Sequence, residues 1–218
     1  MIIFDCDGVL VDTEMAEAEV DAEMLALHGY PITVRELKRR FTGIARRDSF
    51  AAMFAELGRP VPPGLQAEAE TRLAARYRIE LPVIPGIRAA LDALRGIAKC
   101  VASSSTEEKL ALKLELAGLT ADFAPHIYST ALVARSKPAP DIYLHAAAAM
   151  RCTPVECLVI EDSVAGVTGA KAAGMRVIGF TGAAHVTPQL ADELRSAGAD
   201  HVIASMEELP ASVRAMLA

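Results

Sequence analysis

The alternation of short apolar runs with helix-like segments in the second half of the chain is the feature that most constrains the fold. Short strand-like runs occur at residues 97–102, 126–129, 157–160, 176–180 and 201–204, each preceded by a helix-like segment. Strands covered by helices on both faces are continuous apolar runs rather than alternating ones. Residues 2–4 add one more run at the start of the chain. The pattern therefore predicts an α/β fold with a Rossmann-like, doubly wound parallel sheet.

A helical segment interrupts this alternation after the first strand. Helices are predicted over residues 13–28, 34–41, 46–57 and 65–78, separated by stretches that contain glycine or proline. Helices of this number and size form a small bundle. Residues 81–86 read as a return linker. We therefore expect a core domain of residues 1–12 and 84–218 and an inserted α-helical bundle of residues 13–83.

Composition and charge exclude several classes of function. The chain has 218 residues and a net charge of −6, so we expect no nucleic-acid partner. No apolar run approaches the roughly 20 residues of a membrane span, and no signal peptide is visible. The four cysteines show no zinc spacing and lie mostly in apolar runs. These features predict a protein of the reduced cytoplasm.

Two carboxylates follow the first strand. Asp5 and Asp7 lie two residues apart, and Gly8 allows the backbone to turn sharply. Ligands bind at the carboxyl ends of parallel strands, so the two acids are expected at a reaction site. Acids this close suit one ionised nucleophile with one protonated acid, or a shared cation. The alternative is an acidic turn that caps the next helix, which fits Asp12 but neither Asp5 nor Asp7.

Serines follow the predicted strand at residues 97–102. Ser103 and Ser104 lie where the free backbone N–H groups of a following helix would bind phosphate oxygens. Ser105 and Glu108 have the spacing of a capping box, so we expect Ser105 to cap that helix.

Two later segments add a lysine and two more acids. Pro138 and Pro140 follow Lys137, keep the backbone extended before a helix and fix the direction of that lysine. Lys137 could then neutralise a phosphoryl oxygen or an ionised aspartate. Glu161 and Asp162 follow the strand at residues 157–160. Asp5, the carbonyl of Asp7 and Asp162 offer the oxygen ligands that Mg²⁺ prefers beside a phosphate. A solvated lysine and an Asp–Ser helix cap are the structural alternatives.

These segments, in this order, resemble the haloacid dehalogenase-like hydrolase superfamily. The stretches at residues 4–14, 136–141 and 160–166 are similar to its β-phosphoglucomutase and phosphoglycolate phosphatase-like branch, and the resemblance covers nearly the whole chain. It implies an Mg²⁺-dependent phosphoric monoester hydrolase that acts on a small phosphorylated metabolite, either a sugar phosphate or a sugar-acid phosphate. It also implies that the inserted helices are a cap domain that excludes water and chooses the substrate.

The resemblance assigns a role to each matching residue. Asp5 would be the nucleophile that becomes an aspartyl phosphate, and Asp7 would protonate the leaving group and then activate water. Lys137 would screen the repulsion between anions, and Ser103 with the amide of Ser104 would hold the phosphoryl oxygens.

The resemblance also implies metal and substrate ligands. The implied Mg²⁺ ligands are Asp5, Asp7 and Asp162, with Glu161 either a further ligand or a contact through water. Arg46 follows residues 42–45, which match a segment that faces substrate in the family, and is expected to contact substrate. Gly43 is expected to serve the turn.

Several alternatives stay open. Asp7 favours phosphoryl transfer over dehalogenation, because a departing halide needs no proton. The β-phosphoglucomutases carry a cap histidine where this chain has Glu17, and a cap lysine is missing near Arg72 and Leu73, so a phosphatase is favoured over a mutase. A phosphoaccepting regulator of the receiver class would lack the inserted helices. We expect a monomer, because the cap must move, with no membrane partner.

Overall fold

The computed structural model of the protein describes residues 1–41, 46–184 and 186–217. The chain forms two compact units, one of Met1–Asp12 with Leu81–Ala218 and one of Thr13–Glu80. Among the helices of the described ranges, none has both the length and the apolar composition needed to cross a membrane.

The first unit is built on a six-stranded parallel sheet. Its strands are β1 (Ile2–Phe4), β2 (Lys99–Ser103), β3 (Ile127–Ser129), β4 (Leu158–Glu161), β5 (Arg176–Phe180) and β6 (His201–Ile203). Their order is β3-β2-β1-β4-β5-β6, and Ile2 of β1 is in register with both Lys99 and Leu158. From β1 the chain first adds β2 and β3 on one side of the sheet and then β4, β5 and β6 on the other. The carboxyl end of β1 is therefore the topological switch point, where ligands of such sheets bind.

Helices cover both faces of this sheet. In chain order the first unit contains α5 (Ile87–Ala93), α6 (Glu107–Leu116), α7 (Thr120–Phe123), α8 (Asp141–Ala149), α9 (Val164–Ala172), α10 (Leu190–Ser196) and α11 (Leu209–Leu217). Successive side chains of a strand point to opposite faces. Ile2 and Phe4 accordingly pack in one apolar cluster with residues of α5, α6 and α11, and Ile3 packs in another with residues of α8, α9 and α10. The predicted doubly wound fold is confirmed.

The second unit is helical. It contains α1 (Glu14–Leu27), α2 (Val34–Phe41), α3 (Arg46–Glu56) and α4 (Leu65–Ile79). Buried side chains of all four helices form its interior, among them Met24, Leu37, Phe54 and Leu73. Residues 42–45, which include the turn expected at Gly43, lie outside the described residues.

The return linker belongs to the first unit. Backbone N–H groups of Asp12 and Ile84 donate to the carbonyls of Pro82 and Leu10, and Val83 forms a bridge with Val11. These backbone bonds tie residues 81–83 to the segment after β1. The domain boundary therefore falls after residue 80 rather than after residue 83.

Candidate active site

The candidate site lies at the carboxyl ends of β1 and of the two strands that flank it, β2 and β4. Asp5 directly follows β1, Ser103 ends β2 and Glu161 ends β4. Lys137 comes from the proline-containing loop before α8. Parallel pairing brings strand ends together, and this explains how residues 132 positions apart, such as Asp5 and Lys137, come into contact.

Lys137 is the centre of the charge arrangement. Its Nζ donates to Asp5 Oδ1 at 2.8 Å, to Glu161 Oε1 at 2.5 Å and to the carbonyl of Ala102 at 3.1 Å. Burial alone would lower the pKa of Lys137, but the carboxylates of Asp5 and Glu161 outweigh it and keep that pKa well above its ordinary value. Lys137 is therefore a fixed cation between two acids.

Asp5 lies in the same buried environment. Burial raises its pKa from 3.8 to about 7, Lys137 opposes this shift, and the charges of Glu161 and Asp7 add to it. A carboxylate in such a place is poorly solvated and gains from any further cation that binds beside it.

Glu161 is fully buried and accepts four hydrogen bonds. Its Oε1 accepts from Lys137 and from the hydroxyl of Tyr143 at 2.8 Å, and its Oε2 accepts from the backbone N–H and the hydroxyl of Ser163 at 3.1 and 2.9 Å. Burial, reinforced by Glu161, raises the pKa of Tyr143 well above its ordinary value, so its hydroxyl stays a donor. The lone pairs of Glu161 are thus taken by groups of the protein.

Two glycines of α9 make room for this arrangement. A Cβ at Gly166 would lie 2.0 Å from the carboxylate of Glu161. A Cβ at Gly169 would lie 3.0 Å from the carbonyl oxygen of Ala139, in the loop that carries Lys137. The absence of side chains at these positions lets Glu161 and the lysine loop approach the helix closely.

Carboxylate oxygens converge beside Asp5. One oxygen from each of Asp5, Glu161 and Asp162 lies within 4.8 Å of the others. Gly8 has φ +78°, and a Cβ there would lie 1.8 Å from Asp162 Oδ2, so the glycine lets this carboxylate sit against the backbone. The donor set is all oxygen and fits a hard cation such as Mg²⁺. Because Glu161 already accepts four bonds, Asp5 and Asp162 are the side chains best able to bind the ion directly.

Asp7 contacts a residue that the sequence reasoning missed. Its Oδ1 accepts from Lys113 Nζ at 2.5 Å, and its Oδ2 accepts from Ser105 Oγ at 3.0 Å. The expectation that Ser105 caps α6 is wrong. Thr106 is the N-cap, and its hydroxyl accepts from the N–H of Lys109. The signal for Lys113 was its position on the apolar face of α6, three residues after Leu110 and directly before Leu114, where a lysine is out of place.

The two candidate phosphate-binding serines differ in exposure. Ser103 is fully buried, and its Oγ accepts from the backbone N–H of Ser105 at 3.1 Å. Ser104 is exposed, and its carbonyl accepts from Thr130 Oγ1 at 3.4 Å. Ser103 is the last residue of β2, and Ser104 follows it.

Arg46 begins α3 in the second unit and takes part in ion pairs there. Its side chain is 14% exposed, its Nε lies 2.8 Å from Asp21 Oδ1, and an Nη lies 3.7 Å from Glu17 Oε2. Burial alone would lower the pKa of Arg46, but these two acids raise it above its ordinary value. Glu17 also accepts from the hydroxyl of Tyr77 at 3.2 Å. The contacts join three helices of that unit.

Comparison with known proteins agrees with this geometry. A protein-family model described as haloacid dehalogenase-like hydrolase matches residues 1–174. The 6-phosphogluconate phosphatase of Escherichia coli (strain K12) is 29% identical over 191 residues, which cover 86% of this chain and 85% of that protein.

Two crystal structures are similar to the structure of this chain over almost their full length. A conserved haloacid dehalogenase-like protein of unknown function from Agrobacterium tumefaciens is 44% identical, with a TM-score of 0.87 over 100% of this chain and 98% of that one. A HAD family hydrolase from Deinococcus radiodurans, crystallised with bound phosphate and sodium, is 36% identical, with a TM-score of 0.82 over 99% and 95% of the two chains. The family match and these identities confirm the resemblance, and the chain belongs to the haloacid dehalogenase-like hydrolase family.

Proposed function

We propose that this enzyme is an Mg²⁺-dependent phosphatase that hydrolyses a small phosphorylated metabolite through an aspartyl phosphate at Asp5. The observation that carries the proposal is the contact of Asp5 with Lys137 beside the oxygen atoms of Glu161 and Asp162. A carboxylate can attack a phosphoryl group only where the repulsion between the anions is offset, and this site offers both a fixed cation and a cation-binding set of oxygens.

In the first step, a carboxylate oxygen of Asp5 attacks phosphorus. The bond from phosphorus to the ester oxygen breaks, its electron pair stays on that oxygen, and Asp7 donates a proton to it. The alcohol leaves, and the phosphoryl group is bound to Asp5 as a mixed anhydride. Lys137, buried beside Asp5, offsets the negative charge that develops.

In the second step, water attacks the phosphoryl group. Asp7, now ionised, takes a proton from that water, and the bond between phosphorus and the Asp5 oxygen breaks. Inorganic phosphate leaves, Asp5 is again a carboxylate and Asp7 is again protonated. One acid thus serves both halves of the reaction, so no net proton is gained by the enzyme.

Mg²⁺ would be held by the side chains of Asp5 and Asp162 and the carbonyl of Asp7. Glu161 would lie beside the ion without binding it, because its oxygens already accept from protein donors. When bound, the ion supplies positive charge to the phosphoryl oxygens. In this proposal Glu161 orients Lys137, since it accepts the shortest of the hydrogen bonds from that lysine. Ser103 and the amide of Ser104 hold the phosphoryl oxygens.

The substrate class is a sugar phosphate or a sugar-acid phosphate. The name of the 29% identical relative, a 6-phosphogluconate phosphatase, supports the second of these. Residues 13–80 would act as the cap that selects the substrate. Arg46 is the proposed contact for a second anionic group, although its ion pairs with Asp21 and Glu17 equally suit a structural role. We further propose a cytoplasmic monomer, and the free thiols of all four cysteines support a reduced compartment.

The test is phosphate release from a panel that includes 6-phosphogluconate and glucose 6-phosphate, with Mg²⁺ or with excess chelator. The proposal predicts metal-dependent release that is lost in Asp5→Asn. Interconversion of hexose 1- and 6-phosphates without net release would instead favour a mutase. Equal turnover of neutral and acidic substrates, unchanged in Arg46→Ala, would show that Arg46 does not contact the substrate.

A further inference from the structure

Lys113 is a buried cation on a helix face that is otherwise apolar. It lies three residues after Leu110 and directly before Leu114, two members of the apolar cluster on that side of the sheet, and its side chain is 2% exposed. A lysine is found at such a depth only with a partner, because an isolated ammonium loses its hydration there.

The contacts of Lys113 join it to Asp7. Its Nζ donates to Asp7 Oδ1 at 2.5 Å and to Ser105 Oγ at 3.1 Å, while Ser105 Oγ donates to Asp7 Oδ2 at 3.0 Å. The side chain of Asp7 is 29% exposed, so it is not immobilised by packing alone. One donor from α6 and one from the turn before α6 thus engage the two oxygens of this carboxyl group.

We propose that Lys113 and Ser105, together called the Asp7 clamp, are positioning residues that fix the carboxyl group of Asp7 for proton transfer to the leaving group. The inference rests on the proposed function and deepens it. A general acid must lie within about 2.6–3.2 Å of the atom that it protonates, and a partly exposed aspartate with two free torsions meets that condition only part of the time.

The rigidity of α6 explains why a lysine in this place can act through Asp7. The hydroxyl of Thr106 caps the helix, and Leu110 and Leu114 fix it against the sheet. A buried ion pair at this position would add little to the free energy of unfolding compared with an apolar side chain of similar volume. The contact with a residue of the proposed mechanism therefore points to a role in orienting that residue.

The test compares two substrates that differ in their need for an acid. The 4-nitrophenolate of 4-nitrophenyl phosphate departs without protonation, whereas the alkoxide of a sugar phosphate must be protonated. The ratio kcat/KM covers the steps up to departure of the leaving group. We expect Lys113→Met to lower kcat/KM for the sugar phosphate at least about tenfold more than for the aryl ester, a part of the roughly 10²–10⁴-fold that general acids contribute.

Four further variants make the comparison between the two substrates more specific. Ser105→Ala is expected to change the ratio between the substrates in the same direction but less, and Lys113→Arg, which keeps the cation, to restore part of it. In an Asp7→Asn background, Lys113→Met should leave the ratio unchanged. Lys99→Met, at the opposite end of β2 from the site, is the control and should leave kcat/KM unchanged for both substrates.

The outcomes separate this inference from the proposed function. An equal loss on both substrates in Lys113→Met overturns the inference while leaving the phosphatase in place. If Lys113→Met fails to fold, as judged by circular dichroism, Ser105→Ala decides, and an unchanged ratio in that variant overturns the inference. A wild-type enzyme inactive on both substrates and on the wider panel overturns the proposed function and the inference with it.

Discussion

At the residue scale, the candidate site depends on how a few buried charges are compensated. Lys137 lies between Asp5 and Glu161, and Glu161 is in turn held by Tyr143 and Ser163. Each charged group has a partner at hydrogen-bond distance, which is the condition for burying it. The arrangement keeps Lys137 in one position, and so the proposed nucleophile always faces a cation.

Glu161→Gln tests this compensation. A glutamine brings one acceptor oxygen and an NH₂ group where four donors now point at two carboxylate oxygens. We expect a loss of about 1–3 kcal/mol in the free energy of unfolding, because buried donors lose their acceptor. We also expect at least a tenfold drop in kcat. Urea unfolding and steady-state kinetics measure the two effects. Glu207→Gln, at an exposed position, should change neither quantity.

Gly166→Ala tests the space around the same carboxylate. Alanine in a helix ordinarily stabilises by about 0.5–1 kcal/mol relative to glycine. Here the added Cβ would lie 2.0 Å from a carboxylate that four donors hold in place, so we expect destabilisation of about 1–3 kcal/mol and lower activity. Thr168→Ala, on the exposed side of α9, is the comparison. A Gly166→Ala protein as stable and active as wild type would contradict this explanation of the glycine.

At the element scale, α6 connects local structure to the site. Thr106→Ala removes its N-cap and should cost about 1 kcal/mol of stability without changing the substrate ratio described for the Asp7 clamp. Ser105→Ala should instead change the substrate ratio and leave the stability nearly unaltered, since its hydroxyl contacts Asp7 rather than the helix end. Thermal unfolding and kcat/KM measured on both variants separate the two adjacent hydroxyl groups. Equal behaviour of the two variants would argue against the separate roles.

Most elements could be predicted from the sequence, because their signals are local. Continuous apolar runs located every strand, and glycines and prolines bounded the helices, mostly to within two residues. The cap of α6 could not be chosen this way. Ser105 and Thr106 both have a hydroxyl near the helix start, and a tertiary contact of Ser105 with a residue 98 positions away decides between them. The short helix α7 was also missed, since four residues carry too little periodicity.

At the scale of the whole molecule, the sequence alone indicates that Asp5, Ser103, Lys137 and Glu161 lie in one site, because parallel strands end at a common edge. The pairing of Lys113 with Asp7 could not be predicted in this way. It links residues 106 positions apart and depends on the exact placement of α6 against the sheet. The domain boundary was displaced by three residues for a similar reason, as backbone bonds to residues 10–12 retain the linker in the first unit.

The response of the whole protein to pH should reveal the metal site. Burial raises the pKa of Asp5 from 3.8 to about 7 in the metal-free protein. The folded state therefore binds this proton more tightly than the unfolded state, so the stability that the group contributes falls as pH rises from about 4 to about 7. Mg²⁺ competes with the same proton and should raise Tm more at about pH 8 than at about pH 6.

Scanning calorimetry at the two pH values, with Mg²⁺ or chelator, measures this difference. Asp5→Asn is the control, because it removes the titrating group and should reduce both the metal response and its dependence on pH. A metal-dependent Tm shift of equal size at both pH values in the wild-type protein would count against Asp5 as a ligand.

The most direct test of the central claim is to trap the phosphorylated enzyme. The protein would be mixed with a turned-over substrate, quenched with acid on the millisecond scale and mapped by peptide mass spectrometry. We predict a phosphoryl group on Asp5 that forms and decays at rates consistent with turnover and never forms in Asp5→Asn. In Asp7→Asn it should form from 4-nitrophenyl phosphate, whose leaving group needs no proton, and then persist, because the variant lacks the base that activates water. Full turnover by Asp5→Asn, or a phosphoryl group trapped on another residue instead, would contradict the account.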